Sequence, residues 1–392
     1  MKKALVIVML VGMLLSILPG CETTPVSKFD QIMNGLEESD MDCPAYDLEK
    51  YTANYWESDV IYNEAVMPLE EEDGSMAPIP LLYKAEKILA VRDSFLGTLY
   101  EEGKDYTLEN GKLVIPEGSS IQTIEHDQYF PTRKTKGKKL KSADGKSYVL
   151  WCDGFNLHQW QIAVTYVHTD EWEGTVPPAQ GESLPNTLFK LEKKEPVKIL
   201  VYGDSIATGA NSSSETGDEP FAPKWFEMME ASLKKKYGYD DITIINTAVG
   251  GTDSAWGADN AYENGKKYEP DLAIIAFGMN DVGTDPYVFT SNISRIVNTI
   301  SQGNEDCEFI LVATMLANPE TTFSGNQAQF REALKNTQWG DDSHIVIADM
   351  TTYYEDLLAK KRYWDMSCNN INHPNDFLAR GYAQLMLRTL EK

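Results

Sequence analysis

From Val197 to the C-terminus, short apolar runs alternate with longer stretches of helical period, and this alternation restricts the fold more than any other feature. The runs are 197–202, 242–249, 272–277, 309–315 and 345–350, apolar on both faces as central parallel strands are. Helical stretches fall at 222–236, 255–267, 288–302, 327–335, 353–361 and 377–390. Strand and helix in alternation imply a parallel sheet with helices on both faces. Residues 196–392 are therefore expected to form a three-layer α/β/α domain with a five-stranded parallel sheet.

The chain before Pro196 has a different rhythm. Residues 51–190 carry short strand patterns and turn signals without a long helical period, which predicts a smaller β-sandwich domain. Asn110-Gly111, between extended runs at 105–109 and 112–116, suits a type I′ hairpin turn. At 159–167 Trp160, Ile162, Val164 and Tyr166 alternate with Gln159, Gln161 and Thr165, the pattern of a half-exposed strand. The Pro- and Gly-bearing stretch 169–185 reads as a connector that wraps back over the sandwich.

The first twenty residues are read as a leader. Lys2 and Lys3 precede an apolar stretch, 4–18, that is shorter than the ~20 residues of a membrane span. Leu18-Pro19-Gly20-Cys21 follows and resembles the bacterial lipoprotein box, whose cysteine is diacylated. That resemblance implies an exported protein anchored to the cell membrane through Cys21, with 21–50 as a tether; Pro19 departs from the box's usual small residue, and ordinary secretion with a free Cys21 is the alternative. A net charge of −25 argues against nucleic acid and against charge-driven docking on anionic lipid. Cys43, Cys152, Cys307 and Cys368 are scattered, with no metal-ligand spacing, so a metal site has no support and disulfide pairing stays open.

Four patches carry chemistry. The first strand breaks into Gly203-Asp204-Ser205, placing a serine just past the carboxyl edge of the sheet, where open α/β sheets bind ligands. The second strand runs into Gly250-Gly251, whose backbone N–H groups can face a cleft. The third ends in Gly278-Met279-Asn280-Asp281, where the Asn280 amide can donate to an oxyanion. The last is a polar loop, 370–376, with His373 as a candidate general base. Each alone has a plainer reading: a helix cap for Ser205 and Asn280, a common turn for the glycines, a surface turn residue for His373.

In this order the patches resemble the SGNH (GDSL-type) hydrolase superfamily over about 197–392. The resemblance implies Ser205 as nucleophile, His373 as base, and an oxyanion hole from the N–H groups of Ser205 and Gly251 with the Asn280 side chain. A leading β domain before this one looks like the two-domain bacterial carbohydrate acetylesterases. The implied activity is hydrolysis of short-chain, acetyl-type esters on carbohydrate, without cofactor or metal. The pattern departs from the superfamily at Asn370, where an Asp normally stands three residues before the histidine. A main-chain carbonyl within 364–370 is therefore expected to orient His373, with Asp365 as the rival. Trp256, Trp339, Tyr363 and Trp364 are candidate sugar-stacking rings, with packing as their plainer role. A lipase of the same superfamily, a flavodoxin-like phosphate-binding module and a non-catalytic glycan-binding lipoprotein are the alternative functions.

Overall fold

The computed structural model describes residues 26–151, 157–340 and 344–392; the expected leader, Cys21 and Cys152 lie outside the described residues. The N-terminal part contributes β1 (Val60–Val66), β2 (Lys87–Asp93), β3 (Thr107–Glu109), β4 (Lys112–Val114), β5 (Lys139–Lys141), β6 (Tyr148–Leu150) and β7 (Ile162–Val167). These form an antiparallel sheet in the order β1-β7-β2 and two two-stranded hairpins. The β3–β4 hairpin turns on Asn110 (φ 52°) and Gly111 (φ 77°), both left-handed as a type I′ turn requires. In β7 all six residues are buried, because the strand is central in its sheet and its second face is covered too. The expected solvent face therefore does not exist: Gln161 is 2% exposed and Thr165 0%.

The parallel sheet consists of β8 (Val197–Gly203), β9 (Ile242–Asn246), β10 (Leu272–Ala276), β11 (Glu308–Ala313) and β12 (Ile345–Asp349), in the order β12-β11-β10-β8-β9. Order reversal next to β8 creates a crevice at its carboxyl end, the topological switch point. Helices at Trp225–Tyr237, Ser254–Asn264, Pro286–Ser301, Gln327–Asn336, Met350–Leu358 and Asp376–Thr389 flank it, close to the stretches expected from periodicity.

Two connecting segments depart from expectation. Residues 28–50 are docked and not a free tether. Cys43 is 2% exposed, its carbonyl accepts from Asn63 Nδ2 (2.8 Å), and Arg92 Nε bonds both oxygens of Asp42 (3.0 and 3.1 Å). The connector starts against the N-terminal β part, where Lys84 N donates to Asp170 (3.1 Å) and Trp172 meets the Tyr83 ring. It then crosses the α/β part: Thr175 N donates to Asp356 (2.7 Å), Arg388 Nε to Pro177 O (3.0 Å) and Gln180 Nε2 to Ile347 O of the edge strand β12 (2.8 Å). Cys43 and Cys307 are free buried thiols, and burial pushes the Cys307 thiol well up.

The two parts share one core. A single apolar cluster runs from Tyr51, Tyr55, Ile61 and Val66 to Phe377, Leu378, Tyr382 and Met386 of the C-terminal helix, and Tyr55 stacks on Phe377 with ring centroids 4.6 Å apart. Polar links cross the same boundary. The Arg380 guanidinium donates to Tyr62 O (2.7 Å) and Asn63 O (3.0 Å) while lying over the Tyr51 ring. Glu64 and Lys361 form an ion pair whose side chains are both fully buried. Glu64 is completed by Leu82 N (2.9 Å) and Tyr166 Oη (2.7 Å), and Lys361 by Ala65 O (2.9 Å).

A buried ion pair adds little over an apolar pair, but removing one partner strands the other charge. Lys361→Met is expected to destabilise the protein by about 3–5 kcal/mol, and adding Glu64→Gln to recover part of that loss. Urea unfolding followed by tryptophan fluorescence and far-UV circular dichroism checks both. The shared core predicts coincident transitions from the two probes; separate transitions would show independent domains.

Candidate active site

At the end of β8 the chain turns so tightly that only glycine fits. A Cβ on Gly203 would lie 2.2 Å from Ala276 O of the neighbouring strand. Asp204 follows and is buried, at 1% exposure. Its carboxylate accepts from Ile206 N (2.9 Å) and Met279 N (3.3 Å), joining the first patch to the third. Ser205 comes next, mostly buried, its carbonyl accepting from Ala210 N (3.1 Å) and Thr208 Oγ1 (2.7 Å) in a compact turn.

The glycine and asparagine patches are drawn to this turn by backbone contacts. Val249 N donates to Gly203 O (3.0 Å) and Asn246 Nδ2 to Ala207 O (2.8 Å). A Cβ on Gly250 would sit 3.7 Å from Ser205 Cβ, so this turn lies directly against the serine. Gly251 has φ +79°, a conformation that a side chain would strain. Asn280 Nδ2 donates to Thr252 O (2.8 Å), which holds its amide beside the glycine turn. Asp281 anchors the same patch by accepting from Ser254 N (3.0 Å) and Ser254 Oγ (2.5 Å).

His373 reaches the serine from a loop near the other end of the chain. Its Nε2 lies 2.8 Å from Ser205 Oγ, and its Nδ1 lies 2.5 Å from Asn211 Oδ1. An amide oxygen only accepts, so Nδ1 carries the proton and Nε2 presents its lone pair to the serine hydroxyl. That is the tautomer a general base needs. The imidazole is placed by its loop: Asn369 Oδ1 gathers the N–H groups of Ile371 (2.9 Å), Asn372 (3.0 Å) and His373 (3.0 Å).

The group that orients His373 is thus neither of those expected. Asn370 is fully buried, but its Oδ1 accepts from Tyr129 Oη (2.8 Å) and its Nδ2 donates to Leu150 O (2.9 Å). Asp365 is also fully buried, and takes Met67 N (2.7 Å) and the Arg362 guanidinium (2.9 Å). The main-chain carbonyl expected within 364–370 is replaced at Nδ1 by a side-chain amide from the turn after Ser205. Asn211 adopts φ +66°, which Asn tolerates better than most residues, and its N–H donates to Glu215 Oε2 (3.1 Å). Its only sequence signal was an Asn in a Ser-rich turn six residues beyond Ser205.

The aromatic candidates pack. Tyr363 is buried with its hydroxyl on Ile371 O (2.7 Å), and Trp339 Nε1 donates to Leu334 O (3.1 Å). Trp256 leans on Tyr202, and Trp364 on Tyr129. Among the described residues no group of His, Cys, Asp and Glu could hold a metal ion.

Two outcomes follow from this geometry. Asn211→Ala is expected to lower kcat for ester hydrolysis by about 10²-fold or more with KM little changed, whereas Asn211→Asp, which keeps the acceptor, retains most of the rate. Steady-state kinetics on a soluble ester compare the two. Asp204 titrates differently: burial pushes its carboxyl up to about 7 from an ordinary 3.8, against the pull of the backbone N–H donors. The folded state then holds a proton that the unfolded chain releases, so this stabilisation is full below the ordinary value and disappears as pH rises through about 7. Melting temperatures measured from pH 4 to 8 are expected to fall less steeply in Asp204→Asn than in the parent.

Residues 201–382 match the GDSL-like lipase/acylhydrolase family. No curated protein sequence matches the chain. Among solved structures it is similar to a two-domain esterase (CEX) active on acetylated mannans, at 21% identity and TM-score 0.44, over 54% of this chain and 53% of that one. It thus spans about half the length of that esterase. It is similar also to the acetyl xylan esterase AlAXEase, at 19% identity and TM-score 0.38, over 48% of this chain and 98% of that one. The acetylxylan esterase Axe2 from Geobacillus stearothermophilus aligns at 16% identity and TM-score 0.41, over 50% of this chain and 94% of that one. The segment that carries the strand-end serine, both cleft patches and the histidine loop is thus the part of the chain that is similar to the GDSL-like lipase/acylhydrolase family.

Proposed function

We propose that the protein is a serine esterase that removes short acyl groups, acetyl above all, from carbohydrate. The observation that carries this reading is the Ser205 Oγ–His373 Nε2 contact of 2.8 Å, with Asn211 on the far nitrogen. Ser205 Oγ attacks the ester carbonyl carbon while His373 Nε2 takes its proton. The carbonyl electrons move onto oxygen, opposite donors that are already oriented: the N–H groups of Ser205 and Gly251 and the Asn280 amide. Asn280 has two amide hydrogens, and the bond to Thr252 O uses one. The tetrahedral adduct collapses by breaking the ester C–O bond, and the sugar oxygen leaves with the proton from Nε2. Water gives a proton to His373 Nε2 and attacks the acyl-serine; the second adduct breaks its bond to Ser205 Oγ, which takes that proton back, and the acid leaves.

The strongly acidic composition fits a neutral glycan better than a polyanion. Acetylated mannan and xylan are the substrates named for the similar solved esterases, and acetylated glycans are the class we assign here. The N-terminal leader and Cys21 support an exported, lipid-anchored form of the enzyme.

Ser205→Ala is expected to lower kcat by about 10³-fold or more without loss of fold, and residual activity above about a tenth would exclude Ser205 as nucleophile. On p-nitrophenyl esters, acetate should exceed octanoate in kcat/KM, and acetate release from acetylated mannan or xylan should follow. A preference for octanoate would point to a lipase. In cells fed radiolabelled palmitate, the full chain should take up label and Cys21→Ser should not; equal labelling would rule out the anchor.

A further inference from the structure

The position that would carry a triad acid in this family, Asn370, has both ends of its amide bonded to the N-terminal part of the chain, at Tyr129 and Leu150. It is not the only such link. Gln161, just before β7 and 2% exposed, sends its side chain into the base of the histidine loop. Its Nε2 donates to Trp364 O (2.8 Å) and Ser367 O (3.0 Å), and its Oε1 accepts from Asn375 Nδ2 (3.0 Å). One amide thus fastens the chain before His373 to the chain two residues after it.

Each fastened residue acts directly on the histidine's surroundings. Ser367 Oγ donates to His373 O (3.1 Å) and accepts from Asn370 N (2.9 Å). Asn375 donates to Asp365 O (2.9 Å) and caps the C-terminal helix by accepting from Leu378 N (3.1 Å). Between Ser367 and Asn375 the loop has neither helix nor strand of its own, only an isolated bridge between Ser367 and Pro374. Its shape is set by three backbone bonds, Cys368 N to His373 O (3.1 Å), Asn375 N to Met366 O (3.0 Å) and Asn318 N to Ile371 O (2.8 Å), together with side-chain bonds, three of which Gln161 supplies from outside.

We infer that Gln161 is a positioning residue for His373, and that the N-terminal β-rich part is a working half of the active site and not an appended module. This rests on reading Ser205 and His373 as the catalytic pair. Loss of the clamp lets the loop relax, and a displacement near 1 Å at the base can lower the rate by about 10²-fold. Gln161 touches no reacting atom, so its loss should act on kcat and leave KM in place.

The test uses the full chain. Gln161→Glu keeps the length but turns two donors into a carboxylate facing two carbonyl oxygens. Tyr129→Phe removes one hydroxyl at the loop apex and keeps the ring. For p-nitrophenyl acetate, kcat is expected to fall at least about 10-fold in Gln161→Glu and about 3-fold in Tyr129→Phe, with KM unchanged in both. Amide hydrogen exchange at Ile371, Asn372 and His373 should speed up in the same order. An unchanged kcat in either variant that folds, or a rise in KM at constant kcat, would overturn the inference. Ser205→Ala runs alongside: if it keeps the parent rate, the catalytic reading fails, while faster loop exchange in Gln161→Glu would still report the clamp itself.

Discussion

Everything in this site depends on keeping two atoms 2.8 Å apart that belong to residues 168 positions apart in sequence. One of them, Ser205 Oγ, follows the end of an interior strand whose terminal glycine is pressed against the next strand's carbonyl. The other belongs to a loop. A helix or strand is held by its own ladder of hydrogen bonds, but a loop must find partners elsewhere or move. Here those partners are buried amides: Asn369 within the loop, Asn318 beside it through Asn370 O (2.8 Å), and Gln161 from the other half of the molecule. Amides suit the task because each offers two donors and an acceptor in one plane without burying a charge.

The parts of this arrangement that were legible in sequence are those fixed locally. Five apolar runs read as five parallel strands because a central strand is apolar whatever surrounds it. Asn110-Gly111 read as a hairpin turn because only such residues take two left-handed positions in succession. Ser205 and His373 stood out only as members of an ordered set of patches that resembles the SGNH hydrolases, since each alone has a plainer reading.

What escaped was whatever depends on the meeting of distant segments. The alternation around Gln161 and Thr165 looked like a solvent face because polarity is the same signal whether the partner is water or another buried amide. Asn211 carries no distinguishing signal for a similar reason, since an Asn in a Ser-rich loop has many uses. The expected carbonyl partner within 364–370 assumed that orientation comes from the residues nearest in sequence. Instead the oxygen on His373 Nδ1 comes from the turn that carries Ser205, so displacing that turn would move the serine and the histidine's partner together.

The bond from Gln180 to Ile347 O has a consequence outside catalysis. β12 ends the parallel sheet, and a terminal strand carries unpaired main-chain groups on which another chain's strand could build. The connector crosses this border and puts a side-chain donor on one of its carbonyls. A stretch of backbone that looks like mere wiring between two parts therefore also acts as a selvedge, keeping the sheet from being extended by copies of itself when many molecules are crowded together.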